Sequence, residues 1–336
     1  MSSNTPAASR RAFIASAGMG LGSALLSTPR LSAAPGKIRS DEYWARKGSV
    51  SLYLFRKRLE ASQPQAPVLL LVHGSSMSSR PTFDLTVPGH GEYSVMNTFA
   101  QDGFDVWTLD HENYGRSSRT EGNSDIASGV KDLEAAVELV VRETGQQRVH
   151  IFGESSGGLR AGAYAMARPD RIGRLVFSAF TYKGEGSSTL AQRAKQLDEY
   201  RISRSRRRRL RVRYSSSCLA RDKAGTSDPA IAEFMADEEL KFGDQVPTGT
   251  YLDMTANLPV VDPSRILAPV LLVRGEYDGI ATVEDLADFY KRLPNGDRQF
   301  VILPDTAHSV VLGLQRQRFW HVMRAFLTMP AAVRPV

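Results

Sequence analysis

Apolar and polar residues fall in blocks along this chain, and the period of the blocks switches back and forth. Val68–Val72 is an unbroken apolar run of five residues. A short apolar run of this kind fits a strand buried on both faces of a sheet. Residues 104–109, 149–152, 174–178, 270–273 and 299–303 read as strands too, and 50–56 as a further one. Between them the period lengthens to that of a helix. Val130, Leu133, Val137 and Val141 share one face of a helix predicted over 125–143. Others are predicted over 156–167, 283–293 and 312–327. Strands alternating with helices imply an α/β fold, a mostly parallel sheet flanked by helices. The alternation breaks at 181–264, which is polar, basic and without clear strands. That segment reads as an inserted helical cap, leaving 34–180 and 265–336 as the core.

The first 33 residues have a different pattern. Arg10-Arg11-Ala12-Phe13-Ile14 precedes a charge-free stretch, and Leu31-Ser32-Ala33-Ala34 offers small residues for cleavage. These are the parts of an export signal, and the paired arginines resemble the twin-arginine signal of bacteria. The apolar stretch is roughly 15 residues, short of the ~20 that span a bilayer. The expectation is a signal peptide over 1–33, read by twin-arginine export machinery, and a periplasmic or secreted protein.

Composition narrows the function classes. The chain has 336 residues, 42% apolar and 24% charged. Those values are ordinary for a globular protein and exclude collagen, coiled-coil and disordered readings. The net charge of +7 raises the question of nucleic acid. Residues 1–33 carry Arg10, Arg11 and Arg30 and no acid, so without them the charge falls by three, to +4. Eight arginines lie between Arg201 and Arg213, flanked only by Tyr200 and Tyr214 as aromatics. No nucleic-acid fold pattern surrounds them. The run reads as a solvated helix face, with an anionic surface contact as the functional alternative. The single cysteine, Cys218, makes no internal disulfide, and no Cys/His cluster has zinc spacing.

The candidate chemistry sits at strand ends. Gly153-Glu154-Ser155-Ser156-Gly157 follows one predicted strand and opens a helix, the context of a G-x-S-x-G elbow that lifts a serine above a sheet. A serine hydroxyl is a poor nucleophile without an imidazole base and a carboxylate to orient it. Asp278 and His308 each lie just past a later strand, and the chain order Ser155, Asp278, His308 suits such a triad. Glu276 is the rival acid. Asp305 reads as a turn residue and Glu154 as structural. His73-Gly74-Ser75-Ser76 follows the apolar run, so the amides of Ser75 and Ser156 are candidate oxyanion donors. Ser76 and His111 are candidates to line the substrate pocket, and His73 reads as structural.

Together with Asp110-His111-Glu112-Asn113-Tyr114-Gly115-Arg116-Ser117, similar to a D-x-x-G-x-G-x-S loop, these motifs identify the chain as resembling the α/β-hydrolase superfamily over about 48–180 and 265–328. Tyr114 stands near a usual glycine, a departure expected to shape the pocket. The resemblance implies a serine hydrolase acting on a small-molecule or polymeric carboxylic ester through an acyl-enzyme, with no metal or organic cofactor. Lactone, thioester or amide hydrolysis, or a cofactor-free lyase or perhydrolase, would use the same triad. Epoxide hydrolases and haloalkane dehalogenases of this fold use aspartate where Ser155 stands. A binding protein of the same fold is the non-enzymatic alternative.

Overall fold

The computed structural model describes residues 36–63, 65–207 and 223–330. The predicted export signal, Arg208, Arg209, Arg211, Arg213 and Cys218 lie outside the described residues. Eight strands form the main sheet, in the order β1 (Ile38–Lys47), β2 (Val50–Leu59), β4 (Asp105–Leu109), β3 (Val68–Val72), β5 (Val149–Glu154), β6 (Ile172–Ser178), β9 (Val270–Gly275) and β10 (Arg298–Leu303). The pairs β1–β2 and β2–β4 are antiparallel, and from β4 to β10 all neighbours run parallel.

The central strand shows why the sheet needs helices on both sides. Leu70 and Val72 enter one apolar core with Leu133, Val137 and Val140 of α3 (Ile126–Thr144) and Leu159 of α4 (Ser156–Ala167). Leu69 and Leu71 enter the other, with Phe99 of α2 (Val95–Gln101) and Phe319 and Met323 of α10 (Arg316–Leu327). Helix α9 (Val283–Arg292) adds Phe289 to the first core. Successive side chains of a strand point to opposite faces, so the apolar run feeds two cores at once. Local chemistry sets the ends of α3. Asp125 caps its start by accepting from the Ser128 amide, and Gly145, at φ +72°, takes the left-handed turn that ends it.

The insertion is not purely helical. Besides α5 (Ser188–Ala194), α6 (Leu197–Ile202), α7 (Pro229–Leu240) and α8 (Gly249–Ala256), it holds an antiparallel pair, β7 (Ser205–Arg207) with β8 (Gln245–Pro247). The arginine run therefore does not form one helix face, because the helix ends at Ile202 and the chain turns into β7. The last helix also starts four residues later than its pattern suggests. Val310, Val311 and Leu312 are apolar because they pack into the core from a turn segment.

One charged pair is buried in the sheet. The Arg56 guanidinium makes a two-pronged contact with the Asp105 carboxylate, 2.8 and 2.5 Å, and lies over the Trp107 ring. Both residues are under a tenth exposed. Removing one partner leaves the other charge dry and unpaired, at a typical cost of about 3–5 kcal/mol. Asp105→Ala is expected to lower the unfolding free energy by that amount in urea titration. A loss under ~1 kcal/mol would contradict a fully desolvated pair.

Candidate active site

The turn between β5 and α4 is built by two glycines and strained at Ser155. A side-chain carbon on Gly153 would sit 2.6 Å from the Gly157 carbonyl oxygen, and one on Gly157 only 2.2 Å from the Val72 carbonyl oxygen. No side chain fits at either position, so helix and strands pack backbone against backbone. Ser155 takes φ +57° and ψ −126°, a conformation that residues with a side chain seldom adopt. Its amide is tied to the Ser178 carbonyl at the end of β6, 2.8 Å away.

His308 and Asp278 meet across two loops. His308 Nδ1 lies 2.8 Å from Asp278 Oδ1, and both side chains are buried. The same carboxylate oxygen accepts from the Ile280 amide. Because Nδ1 faces Asp278, Nε2 is the ring atom left for another partner. Among the described residues no hydrogen bond joins Ser155 to His308, although both line one cleft. Glu276, the rival acid, instead accepts from the Asp305 amide, and Asp305 occupies a left-handed turn. Arg274, which the sequence analysis passed over, fixes the Asp278 loop. Its guanidinium donates to the backbone carbonyls of Gly275, Glu276, Asp278 and Ala281. A half-buried arginine whose described hydrogen bonds all go to backbone has no sequence signature.

The loop after β3 lies directly against the strained serine. A side-chain carbon on Gly74 would be 3.2 Å from Ser155 Cβ. Ser75 Oγ and Ser156 Oγ are 2.7 Å apart. Ser156 is the first residue of α4, so its amide has no partner within the helix. Ser75 and Ser76 both line the cleft, with Met77, Met235 and Leu312 as its apolar wall. The space is narrow, about 50 Å³.

Two expectations need correction. His111 does not line the cleft. It is fully buried, its Nδ1 lies 3.0 Å from Asp132, and its ring packs edge-on against His73. Its position just past the end of β4 turns the side chain under the loop, away from the opening. Burial, with Arg160 nearby, pushes its pKa well below the usual histidine range. His73 is held neutral in the same way, chiefly by burial. Its Nδ1 faces the Gly74 carbonyl and its Nε2 accepts from the His111 amide, so Nδ1 carries the proton. Tyr114 is likewise absent from the cleft wall. Its hydroxyl donates to the Ser75 carbonyl from below.

Glu154, which reads as structural from the sequence, lines the cleft beside Ser155 and His308. Its only described hydrogen bond is a long one, 3.5 Å from Ser309 Oγ. Burial first, and the Asp278 carboxylate second, push its pKa up to about 8. The cation on the cleft wall is Arg193 of α5, whose guanidinium also lies over the Tyr251 ring.

The profile for serine aminopeptidase, S33, matches residues 63–314. The chain belongs to that family. Its elbow, sheet order and two loops are those of the α/β-hydrolase superfamily. Among curated relatives, a 2-hydroxy-6-oxononadienedioate/2-hydroxy-6-oxononatrienedioate hydrolase of Paraburkholderia phymatum is 33% identical over 110 residues, 32% of this chain and 34% of that one. One from Cupriavidus pinatubonensis is 37% identical over 133 residues, 36% and 39% of the two chains. The chain thus spans little more than a third of the length of those relatives. Among solved structures, a Thermogutta terrifontis esterase superposes at TM-score 0.62 with 18% identity, over 85% of this chain and 98% of that one. A Paleococcus ferrophilus monoacylglycerol lipase does so at 0.61 with 21%, over 82% and 98%.

The raised pKa of Glu154 makes the stability of this S33-family protein depend on pH. Its carboxyl keeps its proton to about pH 8 in the fold, against an ordinary value of 4.5. Between those limits the unfolded chain binds fewer protons than the folded one. Its contribution is therefore full below about 4.5 and is lost as pH rises through 8. Glu154→Gln removes this term. Its melting temperature relative to wild type is expected to climb steadily from pH 5 to 8.5. Parallel melting curves for the two proteins would refute the raised pKa.

Proposed function

We propose that the protein is a serine hydrolase that cleaves a small carboxylic ester through an acyl-enzyme. The observation that carries this reading is His308, hydrogen-bonded to Asp278, lining one cleft with a serine in a strained elbow. In the proposed cycle His308 Nε2 takes the Ser155 hydroxyl proton as Oγ attacks the ester carbonyl carbon. The amides of Ser75 and Ser156 hold the tetrahedral oxyanion. His308 returns the proton to the departing alkoxide, and then activates a water that releases the acid. The Ser155–His308 contact this cycle needs would form with substrate in place, as such contacts commonly tighten in the Michaelis complex. An ester is favoured over an amide because alkoxide leaves more readily than amine, and the narrow cleft favours short acyl groups.

Hydrolysis of a carbon–carbon bond in an oxo-dienoate is the second reading. The names of the curated relatives favour it, and the same serine and histidine would serve.

Fluorophosphonate labelling tests the class. Wild type is expected to be labelled at Ser155, and Ser155→Ala and His308→Ala to lose at least 1,000-fold of ester turnover, the order typical of triad members. An unlabelled wild type, or equal labelling of Ser155→Ala, would end the proposal. Turnover of acetate or butyrate esters should exceed that of palmitate esters and of oxo-dienoates.

We also propose that residues 1–33 direct export of the folded protein, on the strength of Arg10-Arg11-Ala12-Phe13-Ile14 and the apolar stretch that follows. Replacing Arg10 and Arg11 together by lysine is expected to keep the protein inside the cell in fractionation. Undiminished export would overturn the assignment.

A further inference from the structure

The loop that runs from Gly74 to Ser79 is tied down at nearly every residue, and two of the ties come from the cap. From the core, Tyr114 holds the Ser75 carbonyl at 2.9 Å, and Asp110 Oδ1 accepts from both the amide and the hydroxyl of Ser79. From the cap, the Tyr251 hydroxyl on α8 lies 2.8 Å from Ser76 Oγ. Glu239 on α7 accepts from both the amide and the hydroxyl of Ser78, 2.8 and 2.5 Å. Glu239 is fully buried and Tyr251 nearly so. Burying a carboxylate is costly unless its hydrogen bonds are good. Here two of those bonds end on one residue of the loop that carries the Ser75 amide. Cap contacts that only covered the cleft could be apolar, as Met235 on the same helix α7 is.

We infer that Glu239 and Tyr251 are positioning residues, through which the cap sets the Ser75 amide at the distance an oxyanion requires. The inference rests on the serine-hydrolase reading above. Oxyanion donors act on charge that develops only in the transition state, so a misplaced amide lowers kcat and leaves substrate binding almost unchanged. Loss of a whole donor costs about 100- to 1,000-fold. Loss of one tie, with the others still holding the loop, should cost less.

The test uses the full chain and a short-chain ester. Tyr251→Phe removes one hydroxyl and no packing. It is expected to lower kcat about 10-fold with KM within about twofold, and to keep the wild-type melting temperature within a few degrees. Glu239→Ala should lower kcat about 30-fold or more. Glu239→Gln, which retains an acceptor for Ser78, should recover most of that loss. Affinity for an alkyl boronic acid, which mimics the tetrahedral state, should fall in parallel with kcat, a change that mere loss of stability does not produce. Should Glu239→Ala fail to fold, Tyr251→Phe and Glu239→Gln decide alone. Wild-type kcat in Tyr251→Phe, or a loss confined to KM, would overturn the inference. An inactive wild type that fluorophosphonate does not label would instead overturn the serine-hydrolase reading beneath it.

Discussion

The rest of the site depends on how closely α4 approaches the end of β3. A side chain on Gly157 would overlap the Val72 and His73 carbonyl oxygens, and one on Gly153 would overlap α4. With both positions empty, the helix start is pressed onto the sheet and the chain can leave β5 only through a conformation as tight as that of Ser155. That conformation costs on the order of 1–3 kcal/mol. It is held by the amide tie to Ser178 and by the packing of α4 between Leu70, Ile151 and Phe177. The strain is thus supported by the largest core of the protein. The same approach brings Gly74 against Ser155 and Ser75 against Ser156. One backbone contact therefore aligns the strained serine with both candidate donor amides.

Beneath this contact lies a buried polar network. Lys47 bridges Glu112 and Asp132. Asp132 holds His111, and the His111 amide in turn orients His73, whose other nitrogen fixes the Gly74 carbonyl. The two histidines stay neutral because no water reaches them. A neutral ring has one donor and one acceptor, and that asymmetry gives His73 a single orientation on the loop. This accounts for histidines near the site that take no proton from substrate.

Much of this was legible in the residues. Glycine spacing, strand ends and chain order brought Ser155, Asp278 and His308 into view, because each depends on local backbone geometry that leaves a short signature. The helix over 156–167 and the strand over 68–72 appear with the predicted bounds. What escaped depends on contacts across long separations. Strand β1 reads as polar because it is the sheet's outer strand and carries Arg39, Glu42 and Arg46 toward solvent, which also protects an edge from pairing with other chains. Arg274, Tyr114 and Glu239 act on backbone groups, to which any sequence offers partners. His111 was misplaced because proximity to a site along the chain does not say which way a side chain turns.

The carboxyl of Glu154 in the cleft and that of Asp278 behind His308 show how environment differs between like groups. Asp278 accepts hydrogen bonds from His308 and the Ile280 amide, and its loop is clamped by Arg274. Glu154 has one long contact with Ser309 and an otherwise dry setting, and it keeps its proton to about pH 8. Hydrogen bonds are supplied to the Asp278 carboxyl and largely withheld from that of Glu154, and burial without such bonds is what raises the Glu154 pKa. The cap contributes Met235 and Arg193 to the wall of the cleft, and through Glu239 and Tyr251 it also holds the loop that carries Ser75.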